Sequence, residues 1–222
     1  MLLAIETSTT IGSVALGDGA GVLAEVVLGE QSRHAEAVAP AVDTALKLAG
    51  RSLDGLDGVV VGGGPGSFTG VRVGGATAKG LVRALGVPLY AYSGLLALAA
   101  SVSQEAAVCA LFDARRGEVY AACYRLGDEV DTLLQPGVAH LDQVLDAVAA
   151  HDPVYAGDGA WRYAEVIEGR GGRPVAPHRG VPRASALLWL ADRWPDLGRV
   201  ADPAAWEPAY LREPGARRGV RG

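Results

Sequence analysis

Apolar residues gather in short alternating or continuous runs separated by glycine and polar turns, with longer stretches of helical spacing between them. Leu2 to Ser8 and Ile11 to Leu16 predict two strands joined by a polar turn. Val22 to Leu28 predicts a third, after the hairpin signal Gly17-Asp18-Gly19. A helix capped by Ser32 and ending at Gly50 follows, with Val38, Val42, Ala45, Leu46 and Ala49 on one face and Glu36, Asp43 and Lys47 around the other. Val59-Val60-Val61 reads as a buried strand, and Val71 to Leu85 as a helix that Ser67 or Thr69 can cap. Pro88 to Tyr92 is a further strand and Leu95 to Val102 a further helix.

The pattern then restarts. Ala107 to Phe112 is an apolar strand running into Asp113, as Leu2 to Ile5 runs into Glu6, and each leads through a polar turn to a second alternating strand, Glu118 to Arg125 in the later copy. Leu141 to Ala149 predicts a helix, Val154 to Ala156 a strand, and Gly157-Asp158-Gly159 a turn into a helix around Trp161. After a loop from Gly169 to Gly180, Ala184 to Trp194 forms the last clear helix, and Pro195, Pro203, Pro208 and Pro214 break up the tail. A repeat of this kind predicts two similar α/β lobes meeting at a cleft, over residues 1–104 and 105–199, with a tail over 200–222 that can return to the first lobe.

The stretch Gly62-Gly63-Gly64-Pro65-Gly66-Ser67-Phe68-Thr69-Gly70 joins a strand to a helix. Its glycines allow positive φ and close backbone approach, Pro65 stiffens the loop, and free N–H groups at the helix start can hold an anion. No Gly-Lys-Ser/Thr follows, which excludes a P-loop. Gly64, Gly66 and Gly70 give only a loose dinucleotide pattern, and no Asp or Glu occurs from Gly58 through Gln104 to hold a ribose hydroxyl. On pattern alone, a turn that lets a helix pack closely on its sheet outranks a phosphate site.

The 222 residues, half of them hydrophobic, suffice for one large or two small cores. The opening Met1-Leu2-Leu3-Ala4-Ile5 lacks a basic region before Glu6, and the longest apolar run, Gly94 to Val102, is too short to span a bilayer. A cytoplasmic protein without membrane contact is expected. A net charge of −5 argues against a surface that captures nucleic acid by itself, although Arg212, Arg217, Arg218 and Arg221 make the tail basic. Cys109 and Cys123 lie in apolar segments without metal or redox spacing and read as core residues. His34, His140, His151 and His178 show no metal-binding spacing, so no metal is expected, and His34 reads as a surface or interface residue.

Gly64-Pro65-Gly66-Ser67-Phe68-Thr69-Gly70-Val71-Arg72, followed by Asp113-Ala114-Arg115-Arg116-Gly117-Glu118-Val119-Tyr120, resembles the bacterial TsaB (YeaZ) family from Met1 to about Arg212. Its relatives include TsaD, the threonylcarbamoyltransferase of tRNA modification. The resemblance implies an α/β chain of two similar lobes in the duplicated actin-like/sugar-kinase-like (ASKHA) ATPase fold. It also implies that Glu6-Thr7-Ser8 and Asp113-Ala114-Arg115 stand where catalytic relatives bind phosphates and metal, with Gly157 and Asp158 near the adenosine. Here Glu6 replaces the usual Asp, which suggests a vestigial nucleotide cleft. TsaD-type enzymes carry a His-x-x-x-His metal site after the strand equivalent to Pro88 to Tyr92; this chain has Ser93 to Leu98 there, without a metal ligand.

Arg72, Lys79 and Arg83 recur at helical spacing beside small residues such as Gly75, and the preceding helix brings Arg33, His34, Glu36 and Asp43. Solvated charges on packed helices account for this pattern without a partner. The resemblance implies instead that these faces meet another subunit, either a second copy or a TsaD-type transferase. The function it implies is that of a noncatalytic subunit required for N6-threonylcarbamoyladenosine formation, which activates TsaD and helps recruit a TsaE-type ATPase. On that view the chain meets tRNA only through the complex and requires no cofactor of its own, with ATP or ADP at the complex interface. A small ATP-dependent phosphotransferase of the same fold and a self-associating binding module are the alternatives.

Overall fold

The computed structural model describes residues 1–19, 21–29, 34–103 and 105–211. In the first half, β1 (Leu2–Glu6), β2 (Gly12–Asp18) and β3 (Gly21–Leu28) form an antiparallel meander. β4 (Gly58–Gly62) and β5 (Leu89–Tyr92) add parallel strands on the other side of β1, giving the order β3-β2-β1-β4-β5. The second half repeats this path with β6 (Val108–Arg115), β7 (Glu118–Leu126), β8 (Val130–His140), β9 (Val154–Ala156) and the short β10 (Arg173–Pro174), in the order β10-β9-β6-β7-β8. The repeat seen in the apolar pattern is therefore a repeat of topology.

Period-two alternation decides what each strand face meets. Leu3 and Ile5 of β1 point into a core with Val38, Val42 and Leu46 of α1 (His34–Ala49), while Ala4 between them belongs to a different core. β4 is buried at every position, which explains its unbroken valines. α2 (Phe68–Leu85) lies beside α1; the Ser67 hydroxyl accepts from the Gly70 N–H at 3.2 Å at its start, and Gly86 at φ 69° ends it.

The central layer is an exchange. α3 (Gly94–Val102) follows β5 in the chain but packs on β6 and β7 of the second sheet. After α4 (Leu141–Val148), α5 (Asp158–Arg162) and α6 (Ala164–Gly169), α7 (Ala184–Arg193) follows the second sheet but packs on β1, β2 and β4 of the first. Leu95 and Leu98 of α3 share one core with Leu187 and Leu190 of α7, Val60 of the first sheet, and Ala110 and Phe112 of the second. The two halves are thus locked together through buried apolar surface, whose burial is worth about 25 cal/mol per Å².

The chain after the short α8 (Pro195–Gly198) returns to the first half. The Val200 N–H donates to the Leu89 carbonyl at 3.0 Å and the Ala209 N–H to the Gly63 carbonyl at 2.8 Å. Several elements differ from the sequence expectation, among them the two-residue β10 inside the segment read as a loop from Gly169 to Gly180. β8 was not anticipated, because an edge strand half-exposed along its length has no apolar alternation and tolerates Pro136. α2 begins at Phe68 rather than Val71, since Ser67 rather than Thr69 is the cap. The expected Ser32 cap lies outside the described residues. Cys109 and Cys123 are both fully buried and face each other across β6 and β7.

Candidate functional site

A cleft of about 520 Å³ opens between the two halves. Its walls are the Ser8, Thr9 and Thr10 turn after β1, residues 66–69 at the start of α2, residues 112–115 at the end of β6, Tyr120 and Asp158. Glycine lets these elements approach. A Cβ on Gly70 would overlap the Thr7 carbonyl oxygen, and one on Gly66, at φ 155°, would overlap that of Ser8. The approach is fastened by the Thr7 hydroxyl donating to the Gly70 carbonyl at 2.8 Å and the Ser67 N–H donating to the Ser8 carbonyl at 2.7 Å. The Gly94 N–H donates to the Gly64 carbonyl at 2.9 Å, which ties the same loop to α3.

The two acids expected at matching places have unlike surroundings. Glu6 is fully buried and is not among the cleft-lining side chains. Its Oε1 accepts from the Ser8 N–H at 2.6 Å, while Oε2 lies against Gly62 without a hydrogen-bond partner among the described residues. Burial raises its pKa above the ordinary 4.5, with the Ser8 and Thr7 hydrogen bonds pulling the other way. Asp113 does line the cleft; it accepts from the Arg115 N–H at 2.9 Å and stands 3.4 Å from the Arg162 guanidinium. Asp158 accepts from the Asp113 N–H at 3.1 Å, and burial raises its pKa. Arg115 and Arg116 form the hairpin tip at φ 65° and 58°, a conformation that L-residues rarely adopt.

Residues 20–162 match the family model described as "TsaD: tRNA N6-adenosine threonylcarbamoyltransferase". The chain is 36% identical to the tRNA threonylcarbamoyladenosine biosynthesis protein TsaB of Escherichia coli (strain K12), across 95% of this chain and 94% of that protein. The chain belongs to the TsaB (YeaZ) family. A Bacillus subtilis (strain 168) protein of the same description is 38% identical over 56% of this chain and 55% of its own length. The solved structure of YeaZ from Pseudomonas aeruginosa superposes with a TM-score of 0.84 at 34% identity, covering 95% of this chain and 99% of that one. The two sheets repeat one strand order, a duplicated α/β arrangement shared across nearly the whole chain with the YeaZ structure.

The metal that the resemblance implies for catalytic relatives does not fit the first acid of this TsaB-family chain. Glu6 points away from the cleft into Gly62, and its burial favours the neutral form, which is a poor ligand for a hard cation. Among the described residues no three His, Cys, Asp or Glu side chains converge in a metal-holding group. Thr7 and Ser8 are buried beneath the glycine loop, whereas Gly157, at φ 106°, brings α5 onto the Leu111 carbonyl.

The helices expected to meet a partner need redrawing. His34 is 1% exposed, packed beside Gly12, with burial lowering its pKa; it is a core residue rather than the surface or interface residue expected. Gly75 lies under Trp206. The Lys79 ammonium donates to the Ala204 and Trp206 carbonyls at 2.7 and 2.9 Å. Gly75 and Lys79 therefore face the chain's own tail, correcting the expectation of an open face there. Glu36 and Asp43 on α1 and Arg72 and Arg83 on α2 remain exposed, and Arg33 falls outside the described residues. Trp206 and Tyr210 were not singled out by sequence reasoning. Their signal is that aromatics make up only 6% of the chain, yet two fall in a proline-broken tail.

Proposed function

We propose that this chain is a noncatalytic subunit in the formation of N6-threonylcarbamoyladenosine in tRNA, and that it acts by docking a TsaD-type transferase. The observation that carries this reading is the state of Glu6: an acid buried under Gly62 and withdrawn from the cleft cannot share a metal-bound phosphate with Asp113. The relatives named for threonylcarbamoyladenosine biosynthesis support the choice of pathway. The exposed flank of α1 and α2, with Glu36 and Asp43 on one helix and Arg72 and Arg83 on the other, offers both signs of charge to a partner helix pair. A partner that binds only the competent state of the transferase raises the population of that state. On this reading the same flank forms a homodimer in the partner's absence, a TsaE-type ATPase joins the complex, ATP or ADP sits at the complex interface, and the protein works in the cytoplasm. No helix among the described residues is long and apolar enough to cross a membrane.

The test is the light-scattering mass of the purified chain, alone and mixed with TsaD from the same source, together with tRNA modification by TsaD with and without the chain. Exchange into a heterodimer and multiple turnovers only in its presence are expected. Unchanged mass on mixing, or equal turnover without the chain, would overturn the reading. Tight magnesium-dependent ATP hydrolysis by the chain alone, abolished by Asp113→Ala, would favour the phosphotransferase instead.

A further inference from the structure

Cys109 and Cys123 have no redox spacing along the chain; only the register of the second sheet brings them together. Cys109 on β6 is the direct antiparallel partner of Cys123 on β7, and both belong to the core formed with α4 and α6. Directly opposed residues on antiparallel strands have Cα atoms about 4.5 or 5.5 Å apart, inside the roughly 4.4–6.8 Å that a disulfide spans. They are the only two cysteines of the sequence, so neither has a competing thiol within the chain.

Two features of the surroundings favour a bond between them. β7 meets the edge strand β8 irregularly on both sides of Cys123: the pairing shifts between Ala121 and Cys123 and again between Cys123 and Tyr124. The ladder that would hold Cys123 in place is broken there, which leaves β7 room to draw toward β6 and gives local opening of the edge a place to start. The second feature is a cavity of about 350 Å³ between α4 and α6, whose lining shares no residue with the cleft. Its inner lining, Leu145, Tyr155 and Ile167, belongs to the core that holds both thiols. Tyr155 on β9 is the in-register neighbour of Cys109, about 4.8 Å away across the sheet. A small oxidant entering over Tyr155 is thus one strand from the pair. Hydrogen bonding between the two thiols pulls the Cys123 pKa below its ordinary 9.0 against the effect of burial, and the same bond and burial push Cys109 up. Cys123 is therefore the nucleophile of the two.

We propose that Cys109 and Cys123 are an oxidant-responsive pair that closes to a cross-strand disulfide in the folded protein. With hydrogen peroxide as the oxidant, the Cys123 thiolate takes one oxygen, becomes a sulfenic acid and releases hydroxide. The Cys109 thiol then attacks that sulfur; the S–S bond forms, the S–O bond breaks and water leaves. Both sulfurs are oxidised, the peroxide is reduced to two waters, and the two thiol protons end in those waters. The bond ties β6 to β7 just before β6 reaches Asp113 and the Arg115-Arg116 tip, which stiffens one wall of the cleft. In a reducing compartment it is transient and reports exposure to oxidant. This chemistry is independent of any role in tRNA modification, so the two readings fail separately.

The test uses the full reduced chain, incubated with hydrogen peroxide without denaturant, with free thiols then counted in denaturant and intact mass measured in parallel. Both thiols should disappear together with the loss of two hydrogens, and dithiothreitol should restore them. Peptide mapping should join the segments containing Cys109 and Cys123 within one chain, and the melting temperature should rise on closure and fall back on reduction. Cys109→Ala should stop at a sulfenic acid on Cys123 that dimedone traps, whereas Cys123→Ala should react roughly tenfold more slowly than wild type. The wild-type measurements decide the outcome even if an alanine variant fails to fold. Oxidation only in urea, disulfides between chains, or loss of the two thiols separately as sulfinic acids would overturn the proposal.

Discussion

The two lobes follow the same path through their sheets, yet the acids at the ends of their first strands differ in almost every physical respect. Glu6 at the end of β1 is sealed beneath Gly62 and the glycine loop, with one carboxylate oxygen unpartnered among the described residues. Asp113 near the end of β6 stays on the cleft wall and is shared between the Arg115 N–H and the Arg162 guanidinium. The cause lies in the segment after the fourth strand of each lobe. After β4, residues 62–66 fold over the end of β1 before α2 begins, and the tail pins them through Ala209. After β9, the chain enters α5 within one residue. The lobes keep a packing constraint in common: Gly70 rests on the Thr7 carbonyl, and Gly157 and Gly159 rest on the Leu111 carbonyl. Duplication has preserved backbone approach and let the electrostatics of the cleft diverge.

The largest effect should come from that shared approach. Gly70→Ala and Gly157→Ala each drive a Cβ into a carbonyl oxygen, and Gly157 is also at φ 106°, so each should cost about 3 kcal/mol or more in urea unfolding. Tolerance of either substitution would break the equivalence of the lobes. Trp206→Ala comes next, with a loss of about 2 kcal/mol for a half-buried ring. Because Val200, Trp206 and Ala209 of the described tail pack on the first lobe, hydrogen exchange should quicken in α2 and β5 while β6 and β7 keep their protection.

Glu6→Gln sharpens the contrast between the acids through pH. The folded state holds the Glu6 proton more tightly than the unfolded chain, so its stabilising effect is complete below the ordinary 4.5 and is lost as pH rises through the raised value. The Gln variant lacks this loss, so its stability relative to wild type should grow with pH, by at most about 1.4 kcal/mol per pH unit. Unfolding curves at about pH 5 and about pH 8 check this, and parallel pH dependence of the two proteins would mean a charged, partnered Glu6. Asp113→Asn should have the smallest effect, under about 1 kcal/mol, since its ion pair is with an Arg162 side chain that is 60% exposed. A larger loss would show that the second acid too has become a structural group.

Much of this architecture could be read from residue order. Alternation marked β1, β2, β6 and β7, the valines marked β4, and the acid after each opening strand exposed the repeat, because these are local periodicities that burial imposes on sequence. β8 escaped because an edge strand has no consistently buried face to write itself into the pattern. His34 was misjudged for a related reason: a polar ring at the first turn of a helix looks exposed until β2 supplies Gly12 as the space it fills.

The chain order alone therefore determined the core strands, the main helices, the glycine loop and the presence of two like halves. Only the tertiary structure decided that α3 and α7 change places between sheets, that Glu6 turns inward, and that the tail covers Gly75 and binds Lys79. Those outcomes depend on contacts between residues far apart in the chain. Such contacts are selected by the fit of whole surfaces and leave no period in the sequence.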